Sequence, residues 1–264
     1  MSHNPNVEVF DRDAAERSGY VYTSNASLSS RLATQRSHDA IVELADLGGR
    51  SVIDVGCGDG YYTLQICDSA KPRAMVAVDA AGQAVAVAKR NRATQPVEFA
   101  IADVHRLPFP DDCFDVALVQ SILHHDDDPC DVLREAFRLA PEIVIHEPNG
   151  NNLGLKVIER TSRYHRQHGE KSYRPRRMAR WVRQAGGEVV ALRFAGFVPM
   201  FCPDWIARAT KRLEPLVESF PFLRSQACAV YVMVAWRAGA RRASGERTAR
   251  TCRSSRTSRS SSGA

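Results

Sequence analysis

The chain has 264 residues, 44% of them hydrophobic, enough to build the core of one ordinary α/β domain with a tail. Seven cysteines, at 57, 67, 113, 130, 202, 228 and 252, form no C-x-x-C pair and no ligand-like cluster, which argues against a disulfide framework and a cysteine zinc site. The formal net charge of +6 is regional: acids dominate residues 1–155, whereas 156–183 carry ten Lys and Arg against two Glu, so basicity alone does not imply nucleic acid.

The N-terminus, Met-Ser-His-Asn-Pro-Asn-Val-Glu, lacks the basic and apolar regions of a signal peptide. The longest apolar run, Ala227 to Trp236, is too short to span a bilayer, and a cytoplasmic protein is expected. Residues 1–47 read as a polar lead-in containing Tyr20 and Tyr22, then a helix with Leu32, Ile41, Leu44 and Leu47 on its apolar positions, stopped by Gly48-Gly49.

The organising stretch is Ser51 to Thr63. Val52, Ile53 and Val55 form a short β-branched run, Gly56, Gly58 and Gly60 fall on alternate residues, and a helix can continue from Tyr61. Strand, tight turn and helix N-terminus together let a ligand lie against the main chain. The run is D-x-G-x-G-x-G, not the G-x-G-x-x-G that seats a dinucleotide pyrophosphate.

Further strands are predicted at Ala74 to Val78, Val97 to Ala100, Phe114 to Gln120 and Ile143 to Ile145, with helices at Tyr61 to Asp68, Ala80 to Arg92 and after Asp128-Pro129. A basic stretch, a helix around Met178 to Ala185, and two last strands near Glu188 to Phe194 and Ala227 to Trp236 follow, bracketing an amphipathic segment from Trp205 to Phe220. The alternation predicts an α/β fold, doubly wound and Rossmann-like, with a mostly parallel seven-stranded sheet and helices on both faces. One domain is expected over 48–238, with a substrate-side insert at about 150–180 and a cap at about 195–222. Residues 239–264 are rich in Arg and Ser and read as a disordered tail.

Asp54, Asp79 and Asp103 close the first three strands at intervals of one β-α unit, so the three carboxylates should line one crevice. Any one of them could instead be a turn or cap acid. With the glycine turn, and with Ala102-Asp103-Val104, Leu107-Pro108-Phe109, Phe114-Asp115-Val116, Leu123-His124-His125, Asp128-Pro129 and Leu133-Arg134-Glu135-Ala136, the chain from about 45 to 150 resembles the class I S-adenosylmethionine-dependent methyltransferases of the type 11 and ubiquinone-biosynthesis kind. One departure is the direct run Leu139-Ala140-Pro141-Glu142, where relatives carry a Pro-Gly-Gly turn.

The resemblance implies S-adenosyl-L-methionine as cofactor, with Asp54 toward its amino and carboxylate end, Asp79 on the ribose hydroxyls and Asp103 on the adenine amino group. It places Gly56, Cys57, Gly58, Gly60, Ala80, Val104 and Gln120 along the same edge, and lets Tyr20 or Tyr22 fold over the cofactor. His124 and His125 follow the fourth strand; either could be a general base toward an acceptor hydroxyl, or one could be structural. Glu147 and Asn149 are expected to shape the substrate side. His146, Glu147, Asn149 and Asp126 offer oxygen and nitrogen ligands, but no metal is expected.

Arg174, Arg176 and Arg177 are the cations expected to meet an acceptor. The predicted activity is methyl transfer to a small anionic or amphipathic metabolite, with peripheral membrane contact open and no DNA partner. An RNA-modifying enzyme and a non-catalytic S-adenosylmethionine-binding protein stand as alternatives. Gln120-Ser121-Ile122-Leu123 lacks the Asn/Asp-Pro-Pro-Tyr of amino-methylating nucleic-acid enzymes.

Overall fold

A computed structural model describes residues 11, 12, 14, 19, 20, 27–162 and 171–240. Tyr22 and the tail from 241 onward lie outside the described residues. Helix α1 (Leu28–Leu44) leads into β1 (Ser51–Val55), α2 (Tyr61–Ala70), β2 (Ala74–Asp79), α3 (Gly82–Asn91), β3 (Val97–Ile101), β4 (Val116–Gln120), α4 (Pro129–Leu139) and β5 (Glu142–Pro148). After them come α5 (Leu153–Thr161), α6 (Pro175–Gln184), β6 (Gly187–Ala195), α7 (Asp204–Ser219), α8 (Pro221–Ala227) and β7 (Val230–Arg237).

The seven strands form one sheet in the order β3-β2-β1-β4-β5-β7-β6. The first five are mutually parallel, and β7 runs antiparallel to both β5 and β6. The order reverses beside β1, which puts a crevice at the carboxyl ends of β1 and β4.

Period-two alternation sends successive residues of the central strands to opposite faces. Ile53, Val55, Ala117, Val119, Ile143 and Ile145 pack on one face with α4 and α6, through Val132, Leu133, Ala136, Phe137, Met178 and Val182. Val52, Val116, Leu118 and Val144 pack on the other with α1, α2 and α3, through Ala40, Ile41, Ile66, Val85 and Ala88. Because both faces are covered, β4 is buried at every residue, and its run Val-Ala-Leu-Val-Gln is apolar until the last position.

Local signals set the ends of these elements. Asp128 caps α4 by accepting from the Asp131 amide at 3.1 Å, with Pro129 in the first turn. β4 starts at Val116 instead of Phe114, whose ring is drawn into an edge-on contact with Phe109. β5 extends two residues past His146, because β7 supplies ladder partners as far as Pro148 opposite Val230. Helices α5 and α8 were not anticipated; α5 is started by Asn152, whose side chain accepts from the amides of Gly154 and Leu155. The direct run through Pro141 to Glu142 lies at the far edge of the sheet, where Arg50 bonds Glu142 at 2.7 Å.

Candidate active site

The glycine turn after β1 is fixed from below. The amides of Gly56 and Cys57 both donate to the Val78 carbonyl, at 2.8 and 2.9 Å, which seats the turn on β2. Gly58 has φ +54°, and a Cβ there would lie 2.6 Å from the Tyr20 ring, so only glycine allows the close approach. The Tyr20 amide donates to Asp59 at 3.0 Å, which places this tyrosine against the turn. Burial, reinforced by Asp79 and Asp59, pushes its phenol well above the usual range.

The three acids end their strands as spaced, but they do different things. Asp79 sits half-buried at the end of β2, accepting from the Gly58 and Ala81 amides at 2.8 Å each. Burial outweighs these bonds enough to raise the carboxyl above its ordinary value. Asp103 is half-buried after β3 and accepts from the His105 amide at 3.0 Å. Asp54 is buried: Thr63 donates to it at 2.6 Å and the Gln120 amide lies at 3.4 Å, while burial pushes its pKa up to about 6. Asp54 therefore fastens α2 to β1 beneath the turn.

Gln120, the last residue of β4, is a polar group left open at this edge. Its amide nitrogen faces Asp54, and its Oε1 is buried with no hydrogen-bond partner. Such an orphan acceptor fits an ammonium donor, the group that the methionine end of S-adenosylmethionine carries. Ala80 is half-buried beside Asp79; Cys57 has its thiol pushed well up by burial and by Asp79. Val104 packs into the core, which leaves its main chain for any ligand contact. The signals missed in the sequence are Asp59, which holds Tyr20, and Thr63, one turn into α2 and facing Asp54.

The two histidines after β4 separate. His124 is buried, with Nδ1 2.7 Å from Glu147 Oε2; His125 is half-buried, its ring centroid 3.8 Å from that of His124. Glu147 is also met at Oε1 by the amides of Ile122 and Leu123, at 3.1 and 2.9 Å. Burial nevertheless pushes the Glu147 carboxyl up to about 8. Glu147 is thus a buried support for the His124 loop. Neighbouring His146 is buried, 3.2 Å from Ser121 Oγ and pushed down to about 4 by desolvation.

Asn149 is likewise a buried support. It is fully buried, and its amide donates to the carbonyls of Ser225 and Cys228 at 3.1 and 2.9 Å. By contrast Arg174, Arg176 and Arg177 are exposed at the start of α6, and Arg177 stacks on the rings of Tyr173 and Trp181. Arg174 and Arg177 line a cleft of about 220 Å³ with Gly150, Lys156, Ser172 and Tyr173. Gly150 is required there, since a Cβ would lie 2.5 Å from the Tyr173 main chain. A larger cleft of about 450 Å³, between Arg106 and Arg138, lies away from this edge. Among the described residues no group of three or more His, Cys, Asp or Glu could hold a metal ion.

Residues 53–142 match the family model described as a methyltransferase domain. A chloroplastic 2-methyl-6-phytyl-1,4-hydroquinone methyltransferase of Spinacia oleracea is 32% identical over 108 residues, covering 40% of this chain and 31% of its own. A tRNA U34 carboxymethyltransferase of Marinobacter nauticus is 34% identical over 109 residues, covering 39% and 32%. A solved S-adenosylmethionine-dependent methyltransferase from Thermotoga maritima, described as a possible histamine N-methyltransferase, superposes with TM-score 0.62 at 16% identity, covering 88% of this chain and 99% of that one. The chain spans about a third of the length of these two curated relatives.

The sheet order, the glycine turn and the acids at the ends of β1, β2 and β3 make this a class I S-adenosylmethionine-dependent methyltransferase fold. Residues 53–142 are the part that matches a methyltransferase domain, and the cofactor of that class is S-adenosyl-L-methionine.

Proposed function

We propose that the protein transfers the methyl group of S-adenosylmethionine to a small acceptor carrying an anionic group and an apolar part. The observation that supports this most is a juxtaposition at one sheet edge: the open Oε1 of Gln120 ends β4, while the cationic cleft of Lys156, Arg174 and Arg177 opens where neighbouring β5 ends.

When bound, the cofactor supplies an electrophilic methyl group, so the protein's task is to align a nucleophile and exclude water. Asp79 would hold the ribose hydroxyls, Asp103 the adenine amino group and Gln120 the ammonium, while Tyr20 covers the turn. Arg174 and Arg177 would hold the anionic group, in a planar donor geometry suited to carboxylate or phosphate. Of the two candidate bases His124 is the one whose ring is oriented by Glu147, which meets it at Nδ1.

Replacing Arg174, Arg176 and Arg177 together with Gln tests the acceptor side. The variant should show a raised acceptor KM, unchanged cofactor affinity and weaker salt dependence. Kinetics equal to those of the parent across a salt series would assign the three arginines to a solvated face. The likeness to a tRNA-modifying relative and the basic insert favour a second acceptor class, RNA. That alternative gains if the same variant loses affinity for random RNA and the parent methylates RNA in preference to small acceptors.

A further inference from the structure

We propose that helices α5, α7 and α8 form a docking surface for an anionic lipid bilayer, from which the active site takes its amphipathic acceptor. This deepens the acceptor reading above and rests on it. All three helices emerge at the edge where the cofactor crevice opens: α5 follows β5, and α7 and α8 bridge the ends of β6 and β7 that pair near Pro148. Asn149 and Asn152 bond the carbonyls of Ser225, Ala227 and Cys228, so α5 and α8 are held side by side.

Their outer faces are apolar in a way that single exposed side chains on a surface are not. Trp205, Phe222 and Leu153 are 72%, 75% and 73% exposed, and Val157, Leu213, Leu216, Phe220 and Leu223 are exposed with them. On α7 the positions Trp205, Ala209, Leu213, Leu216 and Phe220 follow helical spacing, one stripe along the outside, with the inside taken by Ala207 and Val217.

The charges beside this stripe select the occupant. Arg208, Arg212 and Arg224 are exposed on α7 and α8, Arg160 on α5, and Arg174, Arg176 and Arg177 at the near end of α6. The acids are turned inward and engaged: Glu214 by Lys211 and the Phe197 amide, Glu218 by Arg36 and the Gly196 amide, Glu159 by Lys156 and Ser172. Among the described residues of these helices that leaves Asp204 as the exposed acid. An apolar stripe with an exposed tryptophan, rimmed by arginines and cleared of acids, is complementary to an interface of acyl chains beneath anionic headgroups. No helix among the described residues is long and apolar enough to cross a membrane, so the contact is peripheral.

The test is co-sedimentation of the full chain with phosphatidylcholine vesicles containing about a third phosphatidylglycerol, against phosphatidylcholine alone, over a salt series. The parent should partition onto the anionic vesicles at least ~10-fold better, with the advantage lost at high salt. Trp205→Glu with Phe222→Glu should reduce partitioning ~10-fold or more while calorimetry shows unchanged S-adenosylhomocysteine affinity. Arg208→Gln with Arg212→Gln, which leaves the apolar stripe intact, should weaken it by up to ~30-fold at low salt, the contribution of two interfacial cations. Equal partitioning onto both vesicle types, or equal partitioning of parent and Glu variant, overturns the proposal. So does self-association through this face, read by sedimentation equilibrium, if it abolishes vesicle binding. If vesicle binding fails while a soluble anionic acceptor is still methylated with Arg-dependent KM, the docking surface alone is lost and the acceptor reading stands.

Discussion

Burial at the crevice moves protons between residues, and Glu147 shows it most clearly. Its carboxyl titrates at about 8 in the fold against an ordinary 4.5, so the folded state binds the proton more tightly and stability falls as pH rises from 4.5 to 8. His146, pushed from 6.5 to about 4, acts oppositely: the unfolded state takes up its proton first, so stability rises with pH between 4 and 6.5. Above 6.5 the glutamate acts without that opposition. Urea unfolding from pH 6.5 to 8 should show declining stability, by at most about 1.4 kcal/mol per pH unit, and Glu147→Gln should flatten it. A parent profile that is flat over this window would contradict the assignment.

The same carboxyl governs His124. With Glu147 ionised, Nδ1 donates to it and the ring is the neutral, basic tautomer; once the pair takes a second proton, that basicity is lost. The methyl-transfer rate should therefore rise with pH through about 8, the Glu147 value. In Glu147→Gln the side-chain oxygen keeps the amides of Ile122 and Leu123 and the NH₂ donates to Nδ1, moving the imidazole proton to Nε2. The rate should drop by ~10² or more with cofactor affinity retained. A Gln variant with parental rate and pH profile would remove His124 as the base.

At the scale of elements, the fastening of α5 to α8 depends on two asparagines and carbonyls about 75 residues away in sequence. Asn149→Ala leaves the buried carbonyl of Cys228 without that donor and should cost about 1–3 kcal/mol in urea unfolding. A loss below a few tenths would mean that the joint is held by packing alone. This joint also shows where sequence patterns stop. The strands and the helices α1 to α4 have signals within a dozen residues: β-branched runs, Gly48-Gly49, Asp128-Pro129. Helix α5 has a cap in Asn152, but its apolar residues face outward and no internal stripe marks it as buried. Sequence gives the chemistry of Glu147 and Asn149 but not their burial, which is set by β5 and the turn after it. The spacing of Asp54 put it at this edge, and only the fold put Thr63 against it.

Across the whole molecule, one edge of the sheet gathers four kinds of group: the glycine turn with Asp79 and Asp103, Gln120, the His124–Glu147 pair, and the arginines after β5. The doubly wound topology explains why residues spread from 54 to 177 meet there, since every parallel strand ends on that side. That much was legible from the intervals between Asp54, Asp79 and Asp103, which repeat the length of one β-α unit. The measurement that bears most directly on this arrangement is calorimetric titration of the folded protein with S-adenosylhomocysteine, with NAD as control. One equivalent of S-adenosylhomocysteine should bind, NAD should not, and Asp79→Ala should weaken binding by about 1–3 kcal/mol through loss of the acceptor for the ribose hydroxyls. Uptake of NAD in its place, or S-adenosylhomocysteine binding indifferent to Asp79→Ala, would contradict the assignment of this edge.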